Sequence, residues 1–144
     1  MRHLTKRGLS ALAGLALVAG LASACTAANA DESDLPPEDL PAASAFKGGT
    51  CQATANDVLG MAALARKIAT AEKVDAKDRA ELRDRQRRIA EARSGADEQL
   101  AKPLQDLVTS IGWVRIRFNG QTYDPKIVRQ MDQTRRAYQA LCVG

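Results

Sequence analysis

Residues 94–118, SGADEQLAKPLQDLVTSIGWVRIRF, decide how the chain is read. Leu100, Leu104, Leu107, Ile111, Val114 and Phe118 recur at steps of 4, 3, 4, 3 and 4, the seam of an amphipathic helix with a heptad pattern. Ser94-Gly95 just ahead is a helix stop, and Asp97 is a new N-cap. Proline fits a first helical turn and disrupts a later one, so Pro103 predicts a helix that begins near Lys102 or kinks there. Val114, Ile116 and Phe118 also alternate like a strand, but the longer helical register outweighs that reading.

Helical spacing continues on both sides. Cys51, Ala55, Val58, Ala62, Ala65 and Ile68 share one stripe, with Thr50 placed to cap its start. Asp75 is placed to cap a second helix, with Asp78 and Glu81 in its first turns, where the helix dipole favours negative charge. Leu82, Ile89 and Ala96 lie a heptad apart on that segment, with Gln86 and Arg93 between them, so its apolar seam is narrow. Asn119-Gly120 is a stop, and Asp124-Pro125 a start. A last helix then carries Val128, Met131, Arg135, Tyr138 and Cys142 on one side.

The N-terminus reads as an address. Arg2, Lys6 and Arg7 precede an apolar run over residues 9–22 and then small residues, the layout of a secretory signal peptide. The run, about 14 residues, is shorter than the ~20 that a membrane-spanning helix needs. Two exits are open: cleavage after Ala30 of Ala28-Asn29-Ala30, or lipidation of Cys25 in Ala22-Ser23-Ala24-Cys25. The latter resembles a bacterial lipobox, with Ala22 where that motif prefers Leu. Together with the excess of Arg (14) over Lys (7), it makes the chain similar to actinobacterial-type exported lipoproteins. That resemblance covers the signal region and names no activity. Its implication is a signal peptide over 1–24 (alternatively 1–30) and a lipid on Cys25. Residues 25–45 hold Pro36, Pro37 and Pro41, five acids and no base, and are expected to form a disordered acidic tether before a helical domain over 46–144.

Outside the cytoplasm, Cys51 and Cys142 are expected to pair. The pairing constrains topology. In three equal antiparallel helices the two cysteines would sit at opposite ends, ~27 Å apart at ~1.5 Å per residue, beyond disulfide reach. In a four-helix up-down-up-down bundle they meet at one end. One long central helix over 76–118, with the outer helices folded back on it, also brings them together. Gly95 and Pro103 favour the break. The expected fold is therefore all-α, a disulfide-closed bundle of four helices.

Composition excludes much chemistry. The sole histidine, His3, falls in the signal, so the exported chain lacks Ser-His-Asp and Cys-His catalysis and histidine metal sites. Lys47-Gly48-Gly49-Thr50 lacks the spacing of a phosphate-binding loop. Aromatic residues are 3% of the chain, which offers no base-stacking platform. No enzyme activity, cofactor, metal or nucleic-acid partner is expected.

The whole chain carries +4, but loss of the signal removes three bases and no acid. Residues 31–45 carry −5, and residues 46–144, with 18 bases and 12 acids, carry +6. Two clusters stand out. Arg79, Arg83 and Arg87 recur on the second helix among Arg85 and Arg88. They read as a solvated face laced with pairs such as Glu81–Arg85 and Asp84–Arg88, or as a basic face toward anionic lipid or wall polymer. Trp113, Arg115 and Arg117 read as a Trp completing the core beside dipole-matching arginines, or as an interaction patch for a partner protein. The expectation is an envelope-associated binding or structural module at the outer face of the cytoplasmic membrane. The rivals are a soluble secreted effector or inhibitor working through the Trp/Arg patch, and an unrecognised enzyme. Labelling cells with a palmitate analogue should mark the wild-type chain and leave Cys25→Ala unmarked. An unlabelled wild type with its N-terminus at Asp31 would end the anchored reading.

Overall fold

The computed structural model describes residues 35–71, 73–120 and 123–144; the stretch read above as a signal, Cys25 and the first part of the expected tether lie outside them. Among the described residues the chain forms four helices: α1 (Thr50–Ala69), α2 (Ala76–Ala92), α3 (Glu98–Asn119) and α4 (Pro125–Cys142). Each packs on its neighbours in sequence, and α1 closes on α4.

The helices run up, down, up and down, and three contacts set this order. Cys51 and Cys142 form a disulfide, with Cα atoms 5.3 Å apart. Thr50 Oγ1 donates to the carbonyl of Gly95 at 2.9 Å, so the start of α1 meets the α2–α3 turn at that same end. At the other end the Tyr123 hydroxyl, in the α3–α4 connection, lies 2.5 and 2.6 Å from the carbonyl oxygens of Ile68 and Ala69. Tyr123 also stacks on Phe118, with centroids 5.8 Å apart. The continuous helix over 76–118 does not form. A 3-10 turn at Arg93–Gly95 ends α2, and the Asp97 side chain accepts from Leu100 N–H to restart the chain as α3.

Caps explain most boundaries. Asp75 accepts from Asp78 N–H at 2.7 Å, and Asp124 from Lys126 N–H at 2.9 Å. Thr50 does not cap α1; that place belongs to Gly49, whose φ of 67° suits a residue without Cβ. Nor does α3 wait for Lys102. It starts at Glu98 and runs through Pro103. Proline there removes only a bond to the Gln99 carbonyl, and Gln99 is exposed, so water can take its place.

The core is the expected set of stripes. Leu104, Leu107, Ile111, Val114 and Phe118 of α3 face Val58, Met61, Ala65 and Ile68 of α1 and Val128, Met131 and Tyr138 of α4, all buried. The narrow seam of α2 contributes Leu82 and Ile89. Contacts of the domain reach back past residue 46. Phe46 bridges Val143, and Leu35 and Ala43 pack on the core, so residues 35–45, read above as tether, lie along the bundle.

Tyr138 is fully buried, its hydroxyl 2.9 Å from Thr54 Oγ1. Burial pushes its pKa above the ordinary value of 10, and burial followed by the Asp124 carboxylate does the same for Tyr123. A raised folded-state pKa means that the contribution to stability is whole below the unfolded value and is lost as pH rises from there through the folded-state value. Helicity by circular dichroism should therefore hold to about pH 10. Above that it should fall together with the appearance of phenolate absorbance, and Tyr138→Phe should move the transition upward. Full ionisation of both phenols in an intact bundle would contradict this.

Candidate functional site

The arginines of α2 divide by helical angle. Arg85 and Arg88 point to α1, where both grip Asp57, the one acid of that helix. Arg85 Nη1 is 3.2 Å and Arg88 Nη2 2.7 Å from Asp57 Oδ1. Gly60 lies one turn after Asp57. A Cβ there would come within 2.1 Å of the Arg85 guanidinium, so the missing side chain makes room for it. Glu81 accepts from Arg85 at 2.8 Å as its spacing predicts. The Asp84–Arg88 pair does not form: Asp84 takes Arg83 at 3.1 Å while Arg88 reaches across to Asp57. The Arg83 hydrogen bond is also the main cause that lowers the Asp84 pKa.

Arg79, Arg83 and Arg87 are exposed on the other flank, beside α3. Arg115 of α3 meets them. Its Nη1 donates to Gln86 Oε1 at 2.5 Å, and Gln86 Nε2 donates to the Val108 carbonyl at 2.8 Å. Gln86 thus holds Arg115 over the α2–α3 seam. The result is one groove in two lobes, with Arg83 and Arg115 bordering both, Arg79 on the first lobe and Arg87 on the second. No carboxylate lines either lobe among the described residues. Arg87 is partnered with Glu91 at 3.2 Å, both exposed. Exposed pairs of this kind are weak and are readily exchanged for a better anion.

Of the Trp113, Arg115 and Arg117 cluster, Arg115 turns to a different flank of α3 from Trp113. Residues 107, 111, 114 and 118 fill the core, and Trp113, one step off that seam, is 57% exposed. This corrects the reading of Trp113 as a core residue. It faces the α3–α4 groove, among Ser110, Gln130, Gln133 and Thr134. Arg115 belongs to the groove on the opposite flank of α3, whereas Arg117, exposed, lies one helical turn from Trp113 on its side.

The α1–α4 seam is filled by the chain itself. Arg135 is 1% exposed and is met by Asp132 Oδ1 at 2.7 Å, Gln139 Oε1 at 2.6 Å, and Glu38. Arg136 takes Asp132 Oδ2 at 2.7 Å and the Pro36 carbonyl at 3.0 Å. Gln52 of α1 donates to the Ala43 carbonyl at 3.3 Å. An acidic, proline-containing segment is held because Glu38 completes a buried guanidinium that Asp132 and Gln139 would leave part-satisfied. No buried side-chain nitrogen or oxygen lacks a partner among the described residues. The signals for these two clusters were present as a lone acid in an Ala-rich helix (Asp57) and an arginine on an apolar stripe (Arg135); what neither reveals is its partner.

Among the described residues no group of His, Cys, Asp and Glu is arranged to hold a metal, and no helix is long and apolar enough to cross a membrane. No protein-family model matches the chain, and no curated protein or solved structure matches it.

The inner and outer arginines should separate by mutation. Asp57→Ala leaves Arg85 and Arg88 without their shared carboxylate. With both guanidiniums still partly in water, it should lower unfolding free energy by about 2 kcal/mol. Arg79→Gln should stay within about 0.5 kcal/mol. Urea unfolding measures both, and equal losses would contradict the division.

Proposed function

We propose that the chain is a non-catalytic binding module of the cell envelope, held at the outer face of the cytoplasmic membrane by a lipid on Cys25. It binds an anionic envelope component through the α2–α3 groove. The observation that carries this reading is the groove's composition: guanidinium groups of Arg79, Arg83, Arg87 and Arg115 on its borders, and no carboxylate lining it. Guanidinium forks match phosphate and carboxylate oxygens in pairs, and the side chains stay charged at any physiological pH. Residues 35–144, with 18 bases and 14 acids, carry +4, which adds a long-range pull on polyanions.

Anchoring rests on the signal-like N-terminus and on the lipobox likeness around Cys25. The rival effector reading needed Trp113, Arg115 and Arg117 on one surface. Their division between two flanks of α3 favours the groove instead.

Inorganic polyphosphate is a suitable probe. The protein should bind it with an affinity that falls as salt rises. Arg79→Gln/Arg83→Gln/Arg87→Gln should weaken binding at least about tenfold, at roughly 0.5 kcal/mol or more per exposed contact. The corresponding triple Lys variant, which keeps the charge and loses the forks, should bind between the two. Equal binding by the Gln variant would remove the groove from the account.

A further inference from the structure

The α2–α3 groove leaves open which anion it meets, and α3 itself narrows the choice. We propose that the C-terminal half of α3 docks on an anionic lipid bilayer, with Ile116 and Trp113 entering the interface and the arginines meeting the headgroups. This rests on the anion-binding reading and names its source.

Ile116 and Trp113 are 61% and 57% exposed, the most exposed of the large apolar side chains among the described residues. They lie three residues apart, neighbours on one helical surface. Val114 and Phe118 point into the core, so 100° steps put Ile116 on the side of α3 facing away from it. Arg115 and Trp113 then fall on opposite flanks of Ile116, and Arg117 on the Trp113 flank. Single exposed apolar residues are ordinary and need no explanation. Here the surroundings supply one. Residues 109–120 contain no acid. Arg79 and Arg83 face this half of α3 across one groove. Across the other lie Gln130, Gln133 and Thr134, and the one acid lining it, Asp106, sits two turns before Trp113.

An apolar pair within an acid-free, arginine-bearing surface matches a bilayer better than it matches a soluble polyanion. A polyanion gains nothing from Ile116. In a bilayer interface a Trp ring finds both apolar and polar contact, and arginine stems can lie along apolar surface while their charges stay at the headgroups. A basic patch beside an acyl chain is also the pairing that turns marginal membrane contact into stable contact. The ten residues from Cys25 to 34 span at most about 35 Å, enough for any face of the bundle to turn to the membrane. The side chains of α3 therefore select the face.

The test uses the exported protein with Cys25→Ala, so that no acyl chain contributes. Trp113 is the only tryptophan, and its emission reports its own surroundings. Vesicles of phosphatidylglycerol and phosphatidylcholine should sediment with the protein and shift its emission to the blue, while pure phosphatidylcholine should do neither. Ile116→Ser keeps the probe, lies outside the core and should preserve helicity. It should weaken vesicle binding about tenfold, the effect of withdrawing one large aliphatic side chain from an apolar phase. Its binding of soluble polyphosphate should be unchanged. Polyphosphate binding by the parent without vesicle binding would overturn the bilayer and spare the groove. So would vesicle binding with unshifted emission, or an Ile116→Ser variant that binds vesicles like the parent. Failure to bind polyphosphate, with vesicle binding intact, would overturn the groove reading instead.

Discussion

The bond between Cys51 and Cys142 joins the first turn of α1 to the last turn of α4, closing a loop with a sequence separation of 91. Its main effect falls on the unfolded chain, whose freedom it removes in proportion to the logarithm of that loop. The native chain around it is drawn equally tight. Lys47 N–H donates to the Cys142 carbonyl at 2.8 Å, Lys47 Nζ to that of Leu141 at 2.9 Å, and Phe46 bridges Val143. With α1 clamped to α4, the antiparallel neighbours follow from short connections, and α2 is held despite burying only Leu82 and Ile89 among its apolar residues.

Apolar burial leaves the seams of such a bundle unequal, and polar groups finish two of them. Asp57 with Arg85 and Arg88 closes α1 against α2, helped at the far end by Lys67 on Asp78 at 2.6 Å. Arg135, Asp132 and Glu38 close α4 against the segment that lies along it. The buried Arg135–Asp132 pair adds less to stability than its geometry suggests, because each charge gives up its water, and the pairs that Arg88 and Lys67 make are half in solvent. Their effect here is positional, since they choose which faces are covered. The flanks of α3 stay open, one arginine-lined and one carrying Trp113. The functional reading follows from that asymmetry: the helix with the most regular apolar seam also presents the open flanks.

What could be read from sequence was whatever repeats with the helix. The 4-3-4-3-4 seam of α3, the Asp75, Asp97 and Asp124 caps and the stop at Gly95 lie where local spacing puts them. The cysteine pair then excluded three equal antiparallel helices by distance, and Gly95 favoured the break over one long central helix. Misreadings arose where a neighbour far along the chain intervened. Thr50 gave up the cap because its hydroxyl turns to Gly95, 45 residues away. Glu38 left the tether for Arg135, 97 residues away. For Trp113, read either as completing the core or as part of a patch, the one-step offset from the seam was the guide to its exposure. The basic face was legible as spacing four apart, but Arg115 joins it only through Gln86, a contact 29 residues apart.

The central claim is that covalent closure of α1 on α4 holds this small core together. Urea unfolding of the oxidised protein against Cys51→Ser/Cys142→Ser tests it most directly. The chain-entropy value for so long a loop predicts a loss of about 4–5 kcal/mol in the double variant, with helical signal and near-ultraviolet signal falling in one transition. Superimposable unfolding curves for the two proteins would contradict it.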